Sequence, residues 1–448
     1  MANTAALGAA AGVVGYAYER LADVIRKNFK RKGDEIVAAN LRVARGAYLY
    51  AEERYAAGFD WKLRQVAGAP QRLVMAGNQA FALGALAGGC RFMSAYPMTP
   101  ATSIIEWMAK HEHDFGVVTK HAEDEIAAIN MAIGANFVGA RAMTATSGGG
   151  FALMAEALGL AGMNEVPLVV VNAQRGGPST GLPTRTEQSD LLFVLTASQG
   201  EFPRLVLAPG TIEECFEAGW RSFNLAERYQ TPVIVLTDQL LAASLRTVDV
   251  DAIEFDRVEI DRGKLLSSEE LDGLAGEYKR HLFVEDGISP RAVPGHPNAV
   301  YATASDEHDE FGHISEDQDT RIKMMQKRMK KLETARQDIE PPTRYGPEQA
   351  TIVLAGWGST YGVLREVVDR LDGEARLVHF RDLWPFPAEA AAEALQGGRL
   401  VVVENNYTAQ FKRLLQGETC IGVDQVISRY DGRPFSPEDV LASLKEVG

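Results

Sequence analysis

Four short segments of the chain carry side chains whose types and spacing suit chemistry on a small anion. Ala95-Tyr96-Pro97-Met98-Thr99-Pro100 sets one hydroxyl among prolines that fix the backbone around it. Two readings stand there. Thr99 caps the next helix, with Pro100 in its first turn, or the rigid frame presents Tyr96, Pro97 and Thr99 to a ligand. His121-Ala122-Glu123-Asp124-Glu125 places three carboxylates where an Ala-rich helix begins. They complement the helix dipole, or one of them is buried and aimed at a cofactor. Thr144-Ala145-Thr146-Ser147-Gly148-Gly149-Gly150 offers bare backbone N–H groups at a helix start, a place for an anion or polar ligand. It has neither the Gly-Lys-Ser/Thr ending of a P-loop nor the glycine spacing of a dinucleotide fingerprint. The loop from Asn172 to Arg185 is rich in Gly and Pro, and ordering it costs entropy that binding would offset. Its cations are Arg175 and Arg185, whose planar forks match a carboxylate, although loop salt bridges would use them equally well.

These segments all fall between a short apolar run and a helical stretch. RFMSAYP, FGVVTKHA, ARAMTATSG and VPLVVVNAQ read as strands, as do RLVMAG, FPRLVLAP and TPVIVLTD. Helical patterns such as ATSIIEWMAKH and EDEIAAINMAIGANF lie between them. Repeated strand–helix alternation predicts a doubly wound parallel sheet covered on both faces, with ligands at the carboxyl ends of its strands. A second α/β pattern begins near 350, through ATIVLAGWGS, ARLVHFRDLWP and RLVVVENN. Residues 4–60 read as helical, broken at Gly33, an appendage rather than a domain. Residues 249–345 are polar and weakly periodic. Their 319–340 stretch, with Lys323, Lys327, Arg328, Lys330 and Lys331, predicts a charged helix with a solvated face. The loop Asp306-Glu307-His308-Asp309-Glu310-Phe311-Gly312-His313 matches no zinc spacing, and no metal site is assigned.

Composition narrows the class. The chain has 448 residues, long enough for two or three domains of about 150 residues. Forty-six Lys and Arg against 60 Asp and Glu give a net charge of −14, which argues against a nucleic-acid partner. No apolar run reaches the ~20 residues of a membrane helix. The Ala-rich start lacks the positive n-region of a signal peptide. The three cysteines, Cys90, Cys215 and Cys420, are far apart, which excludes a disulfide framework and a cluster ligated by this chain alone, and fits a reducing cytoplasm.

Taken together and in order, AYPMTP, KHAEDEIAAINMAIGANFVGARAMTATSGGG, QRGGPSTGLPTRTEQSDL, EHDEFGH, KMMQKRMKK and VVVENNYTAQFKRLL closely resemble the α subunit of the 2-oxoacid:ferredoxin oxidoreductases, from about residue 70 onward. The resemblance implies a thiamine-diphosphate-binding, pyrimidine-type α/β domain over 70–248. It implies an extended connector over 249–345, near coenzyme A or at a subunit contact. A smaller transketolase C-terminal-like domain would fill 346–448. Residues 1–69 resemble the end of a γ domain, whose body would be a separate γ subunit or lie upstream.

The reaction so implied turns a 2-oxoacid and coenzyme A into acyl-CoA and CO2 and reduces ferredoxin, and the resemblance admits the reverse direction. The diphosphate, Mg2+ and a [4Fe–4S] cluster would belong to a β subunit, in an (αβ)2-type heteromer, and this chain alone would be inert. By the same resemblance Glu123 bonds the aminopyrimidine nitrogen, with Glu125 its rival. Arg175 grips the substrate carboxylate, Thr99 bonds the 2-oxo oxygen or carboxylate, and Tyr96, Pro97 and Thr180 line the pocket. Ser147 and Gly148 border the cofactor. Arg185 reaches a distal carboxylate, which favours 2-oxoglutarate over pyruvate, branched-chain or aryl oxoacids. Two other readings remain open: a transketolase-like or acetolactate-like enzyme without ferredoxin, and a non-catalytic scaffold in which Glu123, Thr99 and Arg175 are dispensable.

Overall fold

A computed structural model describes residues 1–64 and 66–445. The chain divides into two compact units, residues 1–71 and 72–448. The first holds helices α1 (Ala2–Val14), α2 (Tyr18–Phe29) and α3 (Asp34–Tyr55). There are two breaks rather than the one expected at Gly33. The extra break is at Gly15, whose left-handed backbone (φ 75°) ends α1.

In the second unit β1 (Arg72–Met75), α4 (Gly77–Ala87), β2 (Phe92–Ala95), α5 (Thr102–Lys110), α6 (Glu112–Phe115), β3 (Val118–His121), α7 (Glu125–Phe137), β4 (Ala142–Thr146), α8 (Gly148–Met163) and β5 (Leu168–Gln174) follow one another. Then come α9 (Leu191–Thr196), β6 (Leu205–Leu207), α10 (Ile212–Tyr229), β7 (Pro232–Asp238), α11 (Gln239–Ala243) and β8 (Arg246–Asp249). The connector contributes α12 (Ser268–Asp272) and α13 (Gln318–Ala335). Last are β9 (Thr343–Tyr345), β10 (Ile352–Trp357), α14 (Thr360–Arg370), β11 (Ala375–Phe380), β12 (Asp382–Trp384), α15 (Ala388–Ala394), β13 (Arg399–Glu404), α16 (Gln410–Thr419), β14 (Gln425–Ser428) and α17 (Pro437–Lys445).

The large sheet has the order β12-β6-β7-β5-β4-β2-β3, parallel except for β12 at its edge. Its central strands are buried along their whole length, as an apolar run covered on both faces must be. The smaller sheet has the order β14-β13-β10-β11-β9, with β9 antiparallel. One hydrophobic cluster joins the two, running from Ile234 and Leu236 through Trp357 and Phe380 to Phe411. Two segments depart from the sequence reading. RLVMAG does not join the parallel sheet. It forms β1, paired antiparallel with β8, because only Met75 of its four residues is buried. RDLWP leaves the C-terminal pattern as β12 and adds an edge to the large sheet.

The connector also corrects an expectation. α13 is not a solvated helix: Lys327, Arg328 and Lys331 are buried in it. Lys327 Nζ lies 2.6 Å and Lys331 Nζ 2.5 Å from the carboxylate of Glu165, a residue 1% exposed at the end of α8's loop. His281 Nδ1 stands 3.0 Å from the same carboxylate, and the His308 ring lies against His281, tilted by 46° with the centroids 4.1 Å apart. Donor atoms of Glu165, His281 and His308 lie within 4.8 Å of one another, but the two ammonium groups already supply the positive charge a metal would bring. Burial pushes the Glu165 carboxyl up, and Lys327, Lys331 and His281 overcome it, holding it well below the usual range. The His-rich loop is part of the same fastening: Glu307 takes both Arg328 and Arg321, and Glu310 takes Lys279. A second buried carboxylate, Glu227 on α10, accepts from Arg141, Arg262 and Arg291 at 2.7–2.8 Å. Among the described residues no helix is long and apolar enough to cross a membrane.

Candidate active site

Strands β5, β4, β2 and β3 are neighbours in the sheet, so the four segments singled out above converge at one edge of it. The β2 and β5 loops meet across the end of β4: Arg175 Nη1 donates to the Thr99 carbonyl at 2.7 Å. Tyr96, Pro97 and Thr99 are exposed there, and the Tyr96 ring stands 6.2 Å from that of His121. Thr99 is not a helix cap. Thr102 N–H closes a turn onto the Met98 carbonyl, and Asn78 Nδ2 takes the Pro100 carbonyl, so α5 begins at Thr102 with Ala101 before it. The Thr99 hydroxyl is thereby left free of the helix.

The buried carboxylate is Glu125 and not Glu123. β3 ends at His121, and Asp124 caps α7, its Oδ1 accepting from Ala127 N–H at 2.7 Å. That cap turns Glu123 outward, where it is exposed, and makes Glu125 the first helical residue, 3% exposed. Glu125 Oε1 has no hydrogen-bond partner among the described residues. It faces α8 at Gly150, where a Cβ would collide with the Thr146 hydroxyl and come within 2.6 Å of that oxygen. Glycine is needed at 150 so that the carboxylate can stand against the helix start.

Ser147, the residue before α8, is fully buried, and its hydroxyl too is unpartnered. A buried carboxylate oxygen and a buried hydroxyl without protein partners are costly unless a ligand completes them. They suit the polar edge of a flat heteroaromatic ring. Gly148 is half-buried and Gly149 exposed. Gly148 is also closed on one side by Asp190, whose Oδ1 would lie 2.9 Å from a Cβ there. Asn172 Nδ2 donates to Asp190, and burial pushes that carboxyl up. Burial raises Glu187 as well, with a further push from Asp190. Asp190 was not singled out in the sequence; its place just before the apolar run LLFVLT was the signal.

On the β5 loop, Arg175 is half-buried while Thr180 and Arg185 are exposed. Among the described residues neither arginine has an acidic partner within salt-bridge distance. The loop folds on itself through Leu182 N–H to the Gly176 carbonyl at 2.7 Å, and its crest at Ser179 rests against Gly149. The arrangement therefore offers a desolvated carboxylate, a helix start and two guanidinium groups without acidic partners among the described residues.

Residues 83–327 match the family described as pyruvate flavodoxin/ferredoxin oxidoreductase, thiamine diphosphate-binding. The chain is 40% identical, over 97% of its length and 69% of the relative's, to "2-oxoacid:ferredoxin oxidoreductase 1, subunit alpha" of Sulfurisphaera tokodaii. It is 34% identical, over 83% of its length and 97% of the relative's, to "2-oxoglutarate synthase subunit KorA" of Methanothermobacter thermautotrophicus. The structure of 2-oxoglutarate:ferredoxin oxidoreductase from Magnetococcus marinus, with 2-oxoglutarate, coenzyme A and succinyl-CoA bound, superposes with a TM-score of 0.90 at 36% identity, covering 99% of this chain and 77% of that one. With the unpartnered Glu125 and the open helix start at the strand ends, these similarities identify the chain as a member of the 2-oxoacid:ferredoxin oxidoreductase α-subunit family, a subunit of thiamine-dependent oxidoreductases.

Proposed function

We propose that the chain, joined to a cofactor-carrying β subunit, converts 2-oxoglutarate and coenzyme A to succinyl-CoA and CO2 with electrons passed to ferredoxin. The observation that carries the choice of substrate is the pair of guanidinium groups without an acidic partner among the described residues, Arg175 and Arg185, on one loop of the site. A dicarboxylate oxoacid has a charge for each. The relatives named for 2-oxoglutarate support the same choice.

When bound, thiamine diphosphate supplies the electron sink for loss of CO2 from a 2-oxoacid. The rest falls to this chain. Glu125 holds a proton between its Oε1 and the ring nitrogen of the aminopyrimidine, a role that needs the desolvated site it has and Glu123 lacks. Ser147 and the N–H groups at Gly148 border the ring. Arg175, its orientation fixed by the Thr99 carbonyl, holds the carboxylate that is lost. Thr99 and Thr180 offer hydroxyls to the 2-oxo group, with Tyr96 and Pro97 as walls. Arg185 takes the distal carboxylate. A [4Fe–4S] cluster is assigned to the β subunit because the three cysteines here are scattered, two of them buried; the diphosphate and Mg2+ are assigned there by the family resemblance. A cytoplasmic (αβ)2-type assembly, with a γ part covalent or separate, and a reaction that runs in either direction belong to the same proposal.

The test is to co-express the chain with its genomic neighbour, purify it without oxygen, and assay coenzyme-A-dependent viologen or ferredoxin reduction across a panel of 2-oxoacids. The expected result is a preference for 2-oxoglutarate that Arg185→Gln lowers about tenfold, the value of one charged hydrogen bond. Glu125→Gln should lower turnover by about 10²- to 10⁴-fold. Equal rates on monocarboxylate oxoacids in the wild type would overturn the choice of substrate. Full activity in Glu125→Gln would overturn the assignment of the carboxylate.

A further inference from the structure

The loop that carries Arg175 and Arg185 is fastened at its far end by a residue of no obvious chemistry. Gln188 is 1% exposed, and all its polar atoms are satisfied by the smaller sheet's loops. Its Nε2 donates to the Trp357 carbonyl at the end of β10 (2.9 Å), and its Oε1 accepts from Asn405 N–H just after β13 (3.1 Å). Its own N–H donates to the Asn405 carbonyl (2.7 Å), and its carbonyl accepts from Asn406 Nδ2 (3.0 Å). Asn406 is held in turn: the same Nδ2 donates to Glu404 Oε2 at 2.6 Å, and that buried carboxylate accepts from Phe411 and Lys412 N–H at the start of α16.

Between Arg175 and Arg185 the backbone hydrogen bonds are internal to the loop, among Gly176, Leu182 and Arg185. At its start the loop is held by β5, which ends at Gln174, and by Arg175 on the Thr99 carbonyl. Its far end, which carries Arg185, is held by Thr186, bonded to Asp238 at 3.1 Å, and by the four bonds of Gln188. The smaller sheet touches the loop once more. A Cβ at Gly432, after β14, would come within 2.9 Å of the Arg185 Cβ and 2.8 Å of Leu182 Cδ1, so the Arg185 stem lies directly on that backbone.

We infer that Gln188 is a positioning residue: through it the smaller sheet sets where the two substrate-facing guanidinium groups stand. This rests on the reading of Arg175 and Arg185 given above. A glutamine suits the task because one side chain must both donate to Trp357 and accept from Asn405; neither methionine, of the same length, nor asparagine, one methylene shorter, can do both.

The experiment is steady-state kinetics on the assembled complex for Gln188→Met, Asn406→Ala and Arg175→Lys, with thiamine diphosphate affinity and thermal melting measured beside it. For Gln188→Met the KM for the 2-oxoacid should rise about tenfold, with kcat within about threefold and cofactor affinity unchanged, since misplacement of a binding group weakens the substrate and not the ring site. Asn406→Ala, which removes the bond to the Gln188 carbonyl together with those to Glu404 and the Gln410 N–H, should move KM the same way by at least about threefold and serves if Gln188→Met does not assemble. An unchanged KM in a stable variant overturns the inference. So does a fall of kcat, substrate affinity, cofactor affinity and melting temperature in step, which is what a purely structural clamp gives. An Arg175→Lys variant with unchanged KM overturns the carboxylate-holding reading by itself. A flat Gln188→Met beside a responsive Arg175→Lys overturns only the clamp.

Discussion

The connector and the β5 loop treat their cations in opposite ways. Around Glu165 and Glu227 the chain sinks Lys327, Lys331, Arg141 and Arg291 beside carboxylates. On the β5 loop Arg175 and Arg185 stand without an acidic partner among the described residues, one tied to a backbone carbonyl and the other open. Both sets read as positive charge in a polar stretch. What separates them is desolvation. A charge buried beside a counter-charge built into the fold is satisfied within the fold. A guanidinium left with a neutral partner at a strand end keeps its charge for a ligand. The connector's cations are thus part of how that segment holds to the back of the large sheet, and the loop's cations are not part of the fold's cohesion.

The largest effect that could break this contrast is in the Glu165 cluster. Glu165→Gln leaves Lys327 and Lys331 buried without a counter-charge and should cost about 3–5 kcal/mol of stability in denaturant unfolding. Replacing Glu165, Lys327 and Lys331 together by Leu and Met should restore most of it, because a matched buried ion set and a matched apolar set are of similar worth. A loss below about 1 kcal/mol for Glu165→Gln would mean that the connector is held by something else. Arg175→Lys and Arg185→Gln, by contrast, should leave the unfolding midpoint nearly where it was.

A smaller effect comes from pH. Burial pushes His281 well below its ordinary value, more than its bond to Glu165 raises it, and burial lowers His308 too. Each imidazole is neutral when folded and takes a proton below about pH 6.5 when unfolded. The unfolded chain therefore binds more protons in that range. The imidazoles' contribution is full above about pH 6.5 and falls as pH drops toward the folded-state values, by up to about 1.4 kcal/mol per pH unit for each. Melting temperatures at pH 7.5, 6.5 and 5.5 should fall accordingly, and less steeply in His308→Gln. An equal slope in that variant would remove His308 from the account.

The sequence pattern was informative where one rule decided the outcome. Near-continuous apolar runs such as LVVVNA fold as the buried parallel strands, since only burial on both faces tolerates them. The connector was harder to read because Lys327, Arg328 and Lys331 at i, i+1 and i+4 look alike on a wet helix and on a buried one. The deciding partner, Glu165, lies far away in the chain. The clamp at Gln188 was hidden for the same reason: a lone glutamine has no pattern, and its partners are over two hundred residues downstream at Asn405 and Asn406. β1 was misplaced because a short apolar run does not say which sheet it joins.

Glu125 was legible, in a signal that lay in the helix after it. The buried residues of α7 are Glu125, Ala128, Ile129, Ala132, Ile133 and Asn136, a stripe at helical spacing. Extended one turn toward the N-terminus from Ala128 and Ile129, that stripe falls on 125 and not on 123. Asp124, a favoured capping residue, marks the boundary between the outward and inward carboxylates. The two glutamates, two positions apart, therefore make the finest test of the contrast between a solvated charge and a desolvated one. Glu123→Gln should change stability by less than about 0.5 kcal/mol and leave turnover within about twofold of the wild type, as an exposed substitution does. The same change at 125 removes the ionisable carboxyl from a buried site. Comparable losses at both positions would mean that Glu123 swings inward when the partner subunit binds, and the solvated side of the comparison would then have to be drawn without it.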